Sequence, residues 1–412
     1  MQSKSYPWIL VGLLWVVALL NYMDRQMLSV MKPAMQMDIA QLRSATNFGY
    51  LMAIFLWIYG CMSPVSGIIA DKFNRKWLIV YSLLVWSGVT FAMGYATTFN
   101  QVYWLRAVMG ISEALYIPAA LSLIAHFHSS KTRSLAIGIH MTGFYVGSAL
   151  GGFGATVAAA YSWQTTFHYF GMIGILYSFV LMLFLQGEKH PAENQTDDKF
   201  TIAKKAPLFK GVGILLGNIS FWIILFYFAV ISVPGWAAKN WLPTLFAQNL
   251  NIPMSQAGPI STIAIAASSF LGVIFGGILS DRWVQKNVKG RIYTSAIGLA
   301  LTIPALLLLG FGHTFFSVVG AALCFGLGYG IFDANNMPIL CQFVSAKYRG
   351  TAYGIMNMTG VFAGAFITDL LGKSSDAGNL GKDFAMLAGI VLITLAVLLY
   401  FLRPKEKDFV DA

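Results

Sequence analysis

Long apolar stretches recur along the whole chain and are separated by short polar segments. A helix needs roughly 20 mostly apolar residues to cross about 30 Å of hydrocarbon, and the stretches have this length. The pattern therefore predicts twelve membrane-spanning helices, which we number spans 1 to 12, near residues 8–33, 47–70, 77–96, 101–127, 134–159, 164–186, 216–247, 255–279, 292–311, 314–342, 350–371 and 381–402.

The composition supports a protein embedded in a lipid bilayer. Hydrophobic residues make up 57% of the chain and charged residues only 10%, whereas roughly a quarter of the residues of an average soluble domain are charged. The net charge of +11 does not indicate nucleic-acid binding, because most of the 27 basic residues lie in loops on the side of the N-terminus. The positive-inside rule places both termini in the cytoplasm. We expect an integral, multi-pass protein of the plasma membrane, in a bacterial inner membrane.

One polar segment divides the spans into two sets of six. Residues 187–210 form the longest polar stretch and contain two prolines, so we interpret them as a cytoplasmic linker. The predicted domains are an N-terminal bundle (1–186), this linker, and a C-terminal bundle (211–412). We expect a monomer.

Two short motifs recur in corresponding spans of the two sets. Spans 2 and 8 both end in Gly-x-x-x-Asp followed by a basic residue, at 67–72 and 277–282. Spans 5 and 11 both begin with Arg, then Ala-x-Gly-Ile, and reach Met-Thr-Gly at 141–143 and 358–360. Such repeats indicate an internal duplication, and secondary transporters are commonly built from repeats around a site near the membrane midplane.

The loop after span 2 resembles the signature loop of the major facilitator superfamily. Its sequence is Gly-x-x-x-Asp-Lys-x-x-Arg-Lys over residues 67–76, although Asn74 stands where that family usually has glycine. Because asparagine tolerates a left-handed turn, we expect the turn to be kept. The resemblance implies two pseudo-symmetric six-helix bundles, all α-helical. It also implies that Asp71 and Arg75, with Asp281 and Arg282 in the looser second copy, are gating residues.

Two adjacent charged residues lie within span 1. The apolar run from Trp8 to Leu20 rises only about 20 Å, so the helix must continue through Asp24 and Arg25 to cross the bilayer. Ionisable residues at this depth are costly unless they are paired or face a water-filled cavity, so they are functional candidates. Adjacent helical residues point about 100° apart, so we expect Asp24 and Arg25 to have different partners.

Span 4 offers those partners. Arg106 and Glu113 are seven residues apart, on one helix face and about 10 Å from each other along the axis. One interpretation is that the four charged residues only form a buried ion-pair network between spans 1 and 4. The other is that a buried carboxylic acid changes protonation while an arginine binds an anionic substrate, since arginine stays charged and binds carboxylates bidentately.

The segment Asn21-Tyr22-Met23-Asp24-Arg25, together with Arg106 and Glu113, resembles the anion:cation symporter family of sugar-acid importers and sialin. The resemblance implies that Arg25 contacts the substrate carboxylate and that Asp24 and Glu113 carry protons. Spinster-type lysolipid and sphingolipid transporters share the pattern. It therefore indicates proton-coupled transport of a small organic anion, such as a uronate, aldonate or sialate, with a Spinster-like exporter of amphiphiles or drugs as the alternative.

The second set of spans contains further candidate substrate contacts. Prolines at 234 and 243 predict a broken or kinked span 7 around Lys239, Asn240 and Trp241, which suit a polyol carrying a carboxylate. The alternative for these three is a belt of interfacial tryptophans with a snorkelling lysine. Three polar residues of span 10 are also candidates, with interhelical contacts as the alternative: Asp333, Asn335 and Asn336. The remaining candidates are Tyr22, Arg106, His140 in span 5 and Asn357 in span 11.

Motifs for other chemistry are missing from the sequence. There is no Walker-type phosphate loop, no His-Glu-x-x-His and no Gly-x-Ser-x-Gly, so neither an ATP-driven pump nor an enzyme is predicted. Cys61, Cys324 and Cys341 lie within spans without metal or redox spacing, so we expect packing roles. The prediction includes no metal and no cofactor, with a proton gradient as the source of energy.

Overall fold

A computed structural model describes residues 5–129, 132–187, 208–345 and 348–402. Within these ranges, twelve helical segments are long and apolar enough to cross a membrane, which confirms the predicted number of spans. In order, they are formed by helices Tyr6–Ser29, Ala45–Lys72, Arg75–Met93, Phe99–Ala114 with Tyr116–Phe127, Arg133–Gly151 with Gly154–Ala160, Trp163–Phe184, Ile219–Leu250, Met254–Val284, Gly290–Phe311, Phe315–Asp333 with Asn336–Phe343, Arg349–Asp376, and Leu380–Phe401.

In the described ranges, three short helical segments lie outside the spans. Lys32–Met35 and the 3-10 turn Ala40–Arg43 follow span 1, and Leu208–Leu216 precedes span 7. The last of these begins inside the segment predicted as a linker, and most of that segment lies outside the described residues.

The same capping device begins spans 4 and 10. The Thr98 hydroxyl accepts a hydrogen bond from the backbone N–H of Gln101, whose side chain accepts in return from the Thr98 N–H. Thr314 and Ser317 form the corresponding box at the start of span 10. These boxes satisfy backbone groups that a helix end leaves without partners, and they recur at equivalent positions of the two halves.

The packing between spans repeats with an offset of six. In the first half, span 1 packs on span 5, span 2 on span 4 and span 3 on span 6. In the second half, span 7 packs on span 11, span 8 on span 10 and span 9 on span 12. The halves meet where span 2 packs on span 11 and span 5 on span 8, which is again a symmetric pair of contacts. This arrangement is the one expected of a duplicated unit.

Glycines allow the closest helix contacts. A Cβ atom at Gly147 in span 5 would collide with the backbone carbonyl of Leu19 in span 1. A Cβ atom at Gly372 in span 11 would come within 2.6 Å of the Ala45 carbonyl oxygen in span 2. Helices in a bilayer pack closely through such small residues, since lipid supplies no hydrophobic drive for association.

Prolines interrupt spans 4 and 10 in the same way. The helix of span 4 is interrupted at Leu115, shortly before Pro118, and that of span 10 at residues 334–335, shortly before Pro338. Proline has no N–H and its ring clashes with the carbonyl four residues earlier, which breaks the helix at these points. The breaks place Glu113 and Asp333 in the last turn of the preceding helix.

The structure differs from two local predictions. Span 7 is one continuous helix through Pro234 and Pro243, so of the predicted break or kink, the break does not occur. Neighbouring helices tolerate prolines at membrane depth when the freed backbone groups find other partners. Asn74 has φ −63° and ψ 116°, which is extended rather than left-handed, because its side chain caps the next helix by accepting from the Lys76 N–H.

Candidate functional site

The charged residues of span 1 have separate partners, as predicted, but only Arg25 has its hydrogen-bonding partner in span 4, whereas that of Asp24 lies in span 3. The helix continues through Asp24 and Arg25 to Ser29. Arg25 Nε donates to Glu113 Oε2 at 2.5 Å, whereas Asp24 Oδ2 accepts from the Thr90 hydroxyl of span 3 at 3.4 Å. Two adjacent residues therefore join span 1 to two different neighbours.

Glu113 is the most enclosed of the charged residues. Its side chain is 0% exposed, compared with 11% for that of Arg25. The same carboxylate oxygen, Oε2, also accepts from Asn21 Nδ2 at 2.9 Å, while Oε1 has no hydrogen-bond partner among the described residues. The stability of the ionised Glu113 carboxylate depends strongly on its few partners, because burial of an unpaired charge is costly.

Arg106 completes a cluster of four charges. Its guanidinium lies 4.5 Å from the centre of the Phe55 ring, and Nη1 lies 2.9 Å from the sulfur of Met109. It interacts electrostatically with Asp24 and Glu113 without a salt bridge in the described part of the chain. We call Asp24, Arg25, Arg106 and Glu113 the N-half charge cluster. Two positive and two negative groups make it neutral when all four are ionised.

A cavity between the halves begins beside this cluster. Its volume is about 130 Å³, and Tyr22 and Gln26 of span 1 line it together with Lys239 of span 7 and Asp333 of span 10. The Tyr22 ring lies 5.1 Å from Arg25 Cζ and 5.7 Å from Lys239 Nζ, so it stands next to one cation from each half. Lys239 therefore lines the cavity itself, and Arg25 lies next to Tyr22, a residue of the cavity wall.

The polar residues predicted in span 10 divide between the cavity and the helix. Asp333 is exposed to the cavity, and its Oδ1 accepts from Asn336 Nδ2 at 3.0 Å. Asn335 is buried and donates to the Ile331 carbonyl of the preceding helix at 2.9 Å. The structure thus brings Asp333 to the cavity and places Asn335 at the helix break.

Several other predicted residues lie outside the cavity. Asn240 and Trp241 both donate to Thr368 of span 11, Asn240 to its hydroxyl at 2.7 Å and Trp241 to its carbonyl at 3.0 Å. His140 is buried and its Nε2 lies 2.8 Å from the Tyr116 hydroxyl. Asn357 donates to the Ser63 hydroxyl at 3.2 Å, which connects spans 11 and 2. All of these hydrogen bonds join neighbouring spans.

Sequence analysis missed a group of tyrosines around the cavity. Tyr145 and Tyr329 line it, the Tyr59 ring lies 4.7 Å from Arg25 Cζ, and Tyr353 interacts electrostatically with Asp333, Tyr22 and Tyr59. These tyrosines lie within the spans, and a buried tyrosine hydroxyl usually needs a polar partner. Their positions in the sequence could therefore have indicated a polar interior.

The halves are held together at the end opposite the termini, which we call the far end. The Asp376 carboxylate at the end of span 11 accepts hydrogen bonds from the first residues of span 2, and the Thr156 hydroxyl of span 5 donates to the Ser255 carbonyl at the start of span 8 at 2.7 Å. These contacts close the far end of the cavity.

The predicted gating residues lie at the other end. Arg75 begins the helix of span 3, and the side chain of Asp71 lies outside the described residues. Asp281 and Arg282 are exposed, and Asp281 lies 3.8 Å from Arg291 of the same half. Their gating role remains a prediction.

Known proteins resemble this chain along most of its length. The probable galactarate/D-glucarate transporter GarP of Escherichia coli (strain K12) is 25% identical over 392 residues, with 88% of this chain and 87% of GarP covered. The hexuronate transporter of Bacillus subtilis (strain 168) is 22% identical over 411 residues, with 95% and 93% covered. The crystal structure of a bacterial homologue of the human lysosomal transporter Spinster, inward-facing and unoccupied, matches with a TM-score of 0.83 at 18% identity and covers 99% of each chain.

These similarities agree with the twelve spans and their two-fold arrangement. The match to the Spinster homologue concerns the fold alone at this identity. The family model for the Major Facilitator Superfamily matches residues 14–368. The chain is therefore an integral, multi-pass inner-membrane transporter that belongs to the Major Facilitator Superfamily.

Proposed function

We propose that the protein is a proton-coupled symporter that imports a small carboxylated sugar, of the uronate, aldonate or sialate type, by alternating access. The ion pair between Arg25 and the fully buried Glu113, beside the cavity, is the observation that carries this proposal. In this pair the Glu113 carboxylate and a substrate carboxylate would compete for Arg25, because both accept hydrogen bonds from the same guanidinium donors.

The proposed cycle links protonation to binding. When the cavity opens outward, protons from that side bind the carboxylates of Asp24 and Glu113, and the Glu113 ion pair breaks. Arg25 then donates to the substrate carboxylate. The bound anion offsets one of the two positive charges that the protons bring, and the bundles rock to open the cavity inward. Loss of the protons restores the Arg25–Glu113 pair and releases the anion.

The names of two relatives support this class of substrate. GarP is named for galactarate and D-glucarate, and the Bacillus subtilis protein for hexuronate, and all three are sugar acids. Polar groups from both halves, including Tyr22, Lys239 and Asp333, line the cavity and suit a hydroxylated anion.

Uptake by proteoliposomes tests the coupling. We expect labelled sugar acid to accumulate inside the vesicles when an inward-directed proton gradient is imposed. When an ionophore removes the gradient, the sugar acid should reach equal concentrations on both sides without accumulating. Uptake that is equal with and without the gradient would contradict proton coupling.

A second candidate is a Spinster-like exporter of lysolipids or other amphiphiles. Part of the cavity wall is apolar and includes Phe144, Leu242, Ile265 and Phe325, which favours an acyl chain. A thermal-shift screen of the purified protein against uronates, aldonates, sialates and lysolipids separates the two candidates. Stabilisation by lysolipids alone would support the exporter.

A further inference from the structure

A backbone carbonyl of span 7 lacks its helical donor. In a continuous α-helix the carbonyl of residue 239 accepts from the N–H of residue 243, four positions later. Residue 243 is a proline, which has no N–H, so the Lys239 carbonyl needs another partner. Lys239 and Pro243 both line the cavity. The proline therefore leaves one acceptor without a helical donor at the cavity wall.

Gln26 of the other half supplies the missing donor. Its Nε2 donates to the Lys239 carbonyl at 2.9 Å and to the Ser29 hydroxyl at 2.6 Å, so both amide protons are used. The Ser29 hydroxyl in turn donates to the Gln26 carbonyl at 2.7 Å, which fixes the orientation of the amide. Gln26 and Ser29 are both buried. The bond thus joins span 1 to span 7 through a side chain that its own helix holds in position.

A second carbonyl is released in span 5. The N–H of Phe153, which a continuous helix would direct to Ala149, donates instead to the Leu150 carbonyl at 3.0 Å. The Thr262 hydroxyl of span 8 lies 3.1 Å from the Ala149 carbonyl and 3.0 Å from the Gly258 carbonyl of its own helix. An acceptor released by an irregular helix again faces a donor from the other half.

Two adjacent glycines of span 5 allow these contacts. A Cβ atom at Gly151 would lie 2.7 Å from the Cβ atom of Gln26, and one at Gly152 would lie 2.8 Å from the Gly258 carbonyl oxygen of span 8. A side chain at either position would push the helices apart, and small residues are what permit such close packing in a bilayer. Span 5 therefore contacts span 1 on one side and the opposite half on the other.

These contacts lie between the cavity and the closed far end. The Thr156–Ser255 hydrogen bond lies seven residues beyond Ala149 along span 5, which corresponds to about 10 Å along the helix axis. Gln26 and Thr262 themselves line the cavity. The halves are thus joined in two layers, an outer layer at the far end and an inner layer at the cavity.

We propose that the Gln26–Lys239 hydrogen bond, supported by the Thr262 contact, forms an inner gate between the far end and the cavity. Because the Lys239 carbonyl has no helical donor, it depends on Gln26 when the halves are closed, and water takes the place of the amide when they separate. Gln26 directly follows Arg25 of the N-half charge cluster, so a movement of span 1 at that cluster also displaces the gate. The gate does not depend on which molecule is carried.

Labelling of a cavity cysteine tests the gate without any substrate. Ser269 lines the cavity seven residues beyond Thr262, on the side away from the far end. In a background without the three native cysteines, the rate at which Ser269→Cys reacts with an impermeant maleimide added from the far side is measured. Gln26→Ala should raise this rate about threefold or more, as expected for loss of one hydrogen bond between the halves. Thr262→Val should raise it less, because that hydroxyl already shares its proton with its own helix.

The proline offers a sharper test of the same bond. Pro243→Ala supplies the missing N–H, so the Lys239 carbonyl gains a helical donor that competes with Gln26. We expect the labelling rate to rise in this variant too, and Gln26→Ala combined with Pro243→Ala to have no larger effect than Gln26→Ala alone. Pro234→Ala, in the same helix, is the matched control and should leave the rate unchanged.

Further controls separate the gate from general loosening of the protein. Thr302→Val removes a buried hydroxyl that donates within its own helix, so it should not change the rate. If Gln26→Ala does not fold, Pro243→Ala still measures the bond, since it keeps the glutamine. A rate for Gln26→Ala or Pro243→Ala no higher than that of the wild type, full additivity of the two changes, or an equal effect of Pro234→Ala would each overturn the inner gate. None of these results bears on the proposed function, because no substrate is present.

Discussion

Asp376 at the end of span 11 accepts two hydrogen bonds from Thr46 near the start of span 2, from its backbone N–H at 2.8 Å and its hydroxyl at 2.7 Å. The same carboxylate accepts from the Ala45 N–H at 2.6 Å and the Ser44 hydroxyl at 2.7 Å. A carboxylate is favourable at a helix N-terminus, where the first N–H groups lack partners and the helix dipole is positive. Because the two spans belong to different halves, this cap closes the far end.

Asp376→Asn should therefore favour states that are open at the far end. The substitution removes the charge and one acceptor oxygen, and hydrogen bonds to charged groups contribute about 1.5–3 kcal/mol each. We expect a cysteine introduced at Ser269, which lines the cavity, to react several-fold faster with an impermeant thiol reagent added from the far side. The measurement needs a background in which Cys61, Cys324 and Cys341 are replaced. Asp383→Asn, in the first turn of span 12, is the matched control, and an equal effect of both variants would contradict a specific role for Asp376.

Glu113→Gln should separate binding from energy coupling. Without the Glu113 carboxylate, Arg25 has no internal competitor in this pair, so substrate still binds, while one proton-carrying group is lost. We expect gradient-driven accumulation in proteoliposomes to fall to background and counterflow exchange of labelled substrate to persist. Asp369→Asn, which breaks an ion pair with Lys373 away from the cavity, should leave accumulation intact. Gradient-driven uptake by the Glu113 variant would move the coupling to other groups.

Substrate affinity should fall as the pH rises. In the proposed cycle the complex holds protons that the free, ion-paired protein does not hold, so binding takes up protons and is favoured at low pH. Affinities measured by calorimetry between about pH 5.5 and 8.5 should decrease for the wild type, and the decrease should be smaller for Glu113→Gln, which has one titrating group fewer. A pH-independent affinity of the wild-type protein would exclude protonation as part of binding.

Arg25 should be needed for binding of every carboxylate. Arg25→Gln should weaken binding of uronates and aldonates by at least about tenfold, because a charge-assisted, bidentate contact is lost. Arg25→Lys keeps the charge but lacks the planar fork, so we expect only partial recovery. Arg43→Gln replaces an exposed arginine outside the spans and serves as the control. Unchanged affinity of Arg25→Gln would place the anion elsewhere, with Lys239 as the next group to test.

Trp241→Phe should reduce stability without reducing affinity. The indole is fully buried, packs edge-on against Phe48 of span 2 at 6.2 Å, and donates to the Thr368 carbonyl. The change removes this hydrogen bond from a carbonyl that still accepts within its own helix, at a cost of about 0.5–1.5 kcal/mol. The melting temperature in detergent should therefore fall while the affinity for sugar acids stays constant. A loss of affinity at constant melting temperature would instead support Trp241 as a substrate contact.

The residues that face the cavity could be predicted only in part from the sequence. Lys239, Asn240 and Trp241 are consecutive, and their side chains point about 100° apart on a helix, so they must face different surroundings. Only Lys239 lines the cavity, and the other two bind Thr368. The rotation of span 7 about its axis decides this, and it depends on packing against spans 8, 11 and 12 rather than on the local sequence. The tyrosines around the cavity were missed for the same reason.

The sequence by itself determined the number of spans, the duplication, and the presence of charges inside the membrane. Hydrocarbon requires a minimum helix length and penalises buried charge, so both features are visible along the chain. The tertiary structure alone decided that Arg25 pairs with Glu113 while Asp24 contacts Thr90, and that Asp376 caps span 2. These partners are far apart in the chain, and only the packing of whole helices brings them within reach of a hydrogen bond.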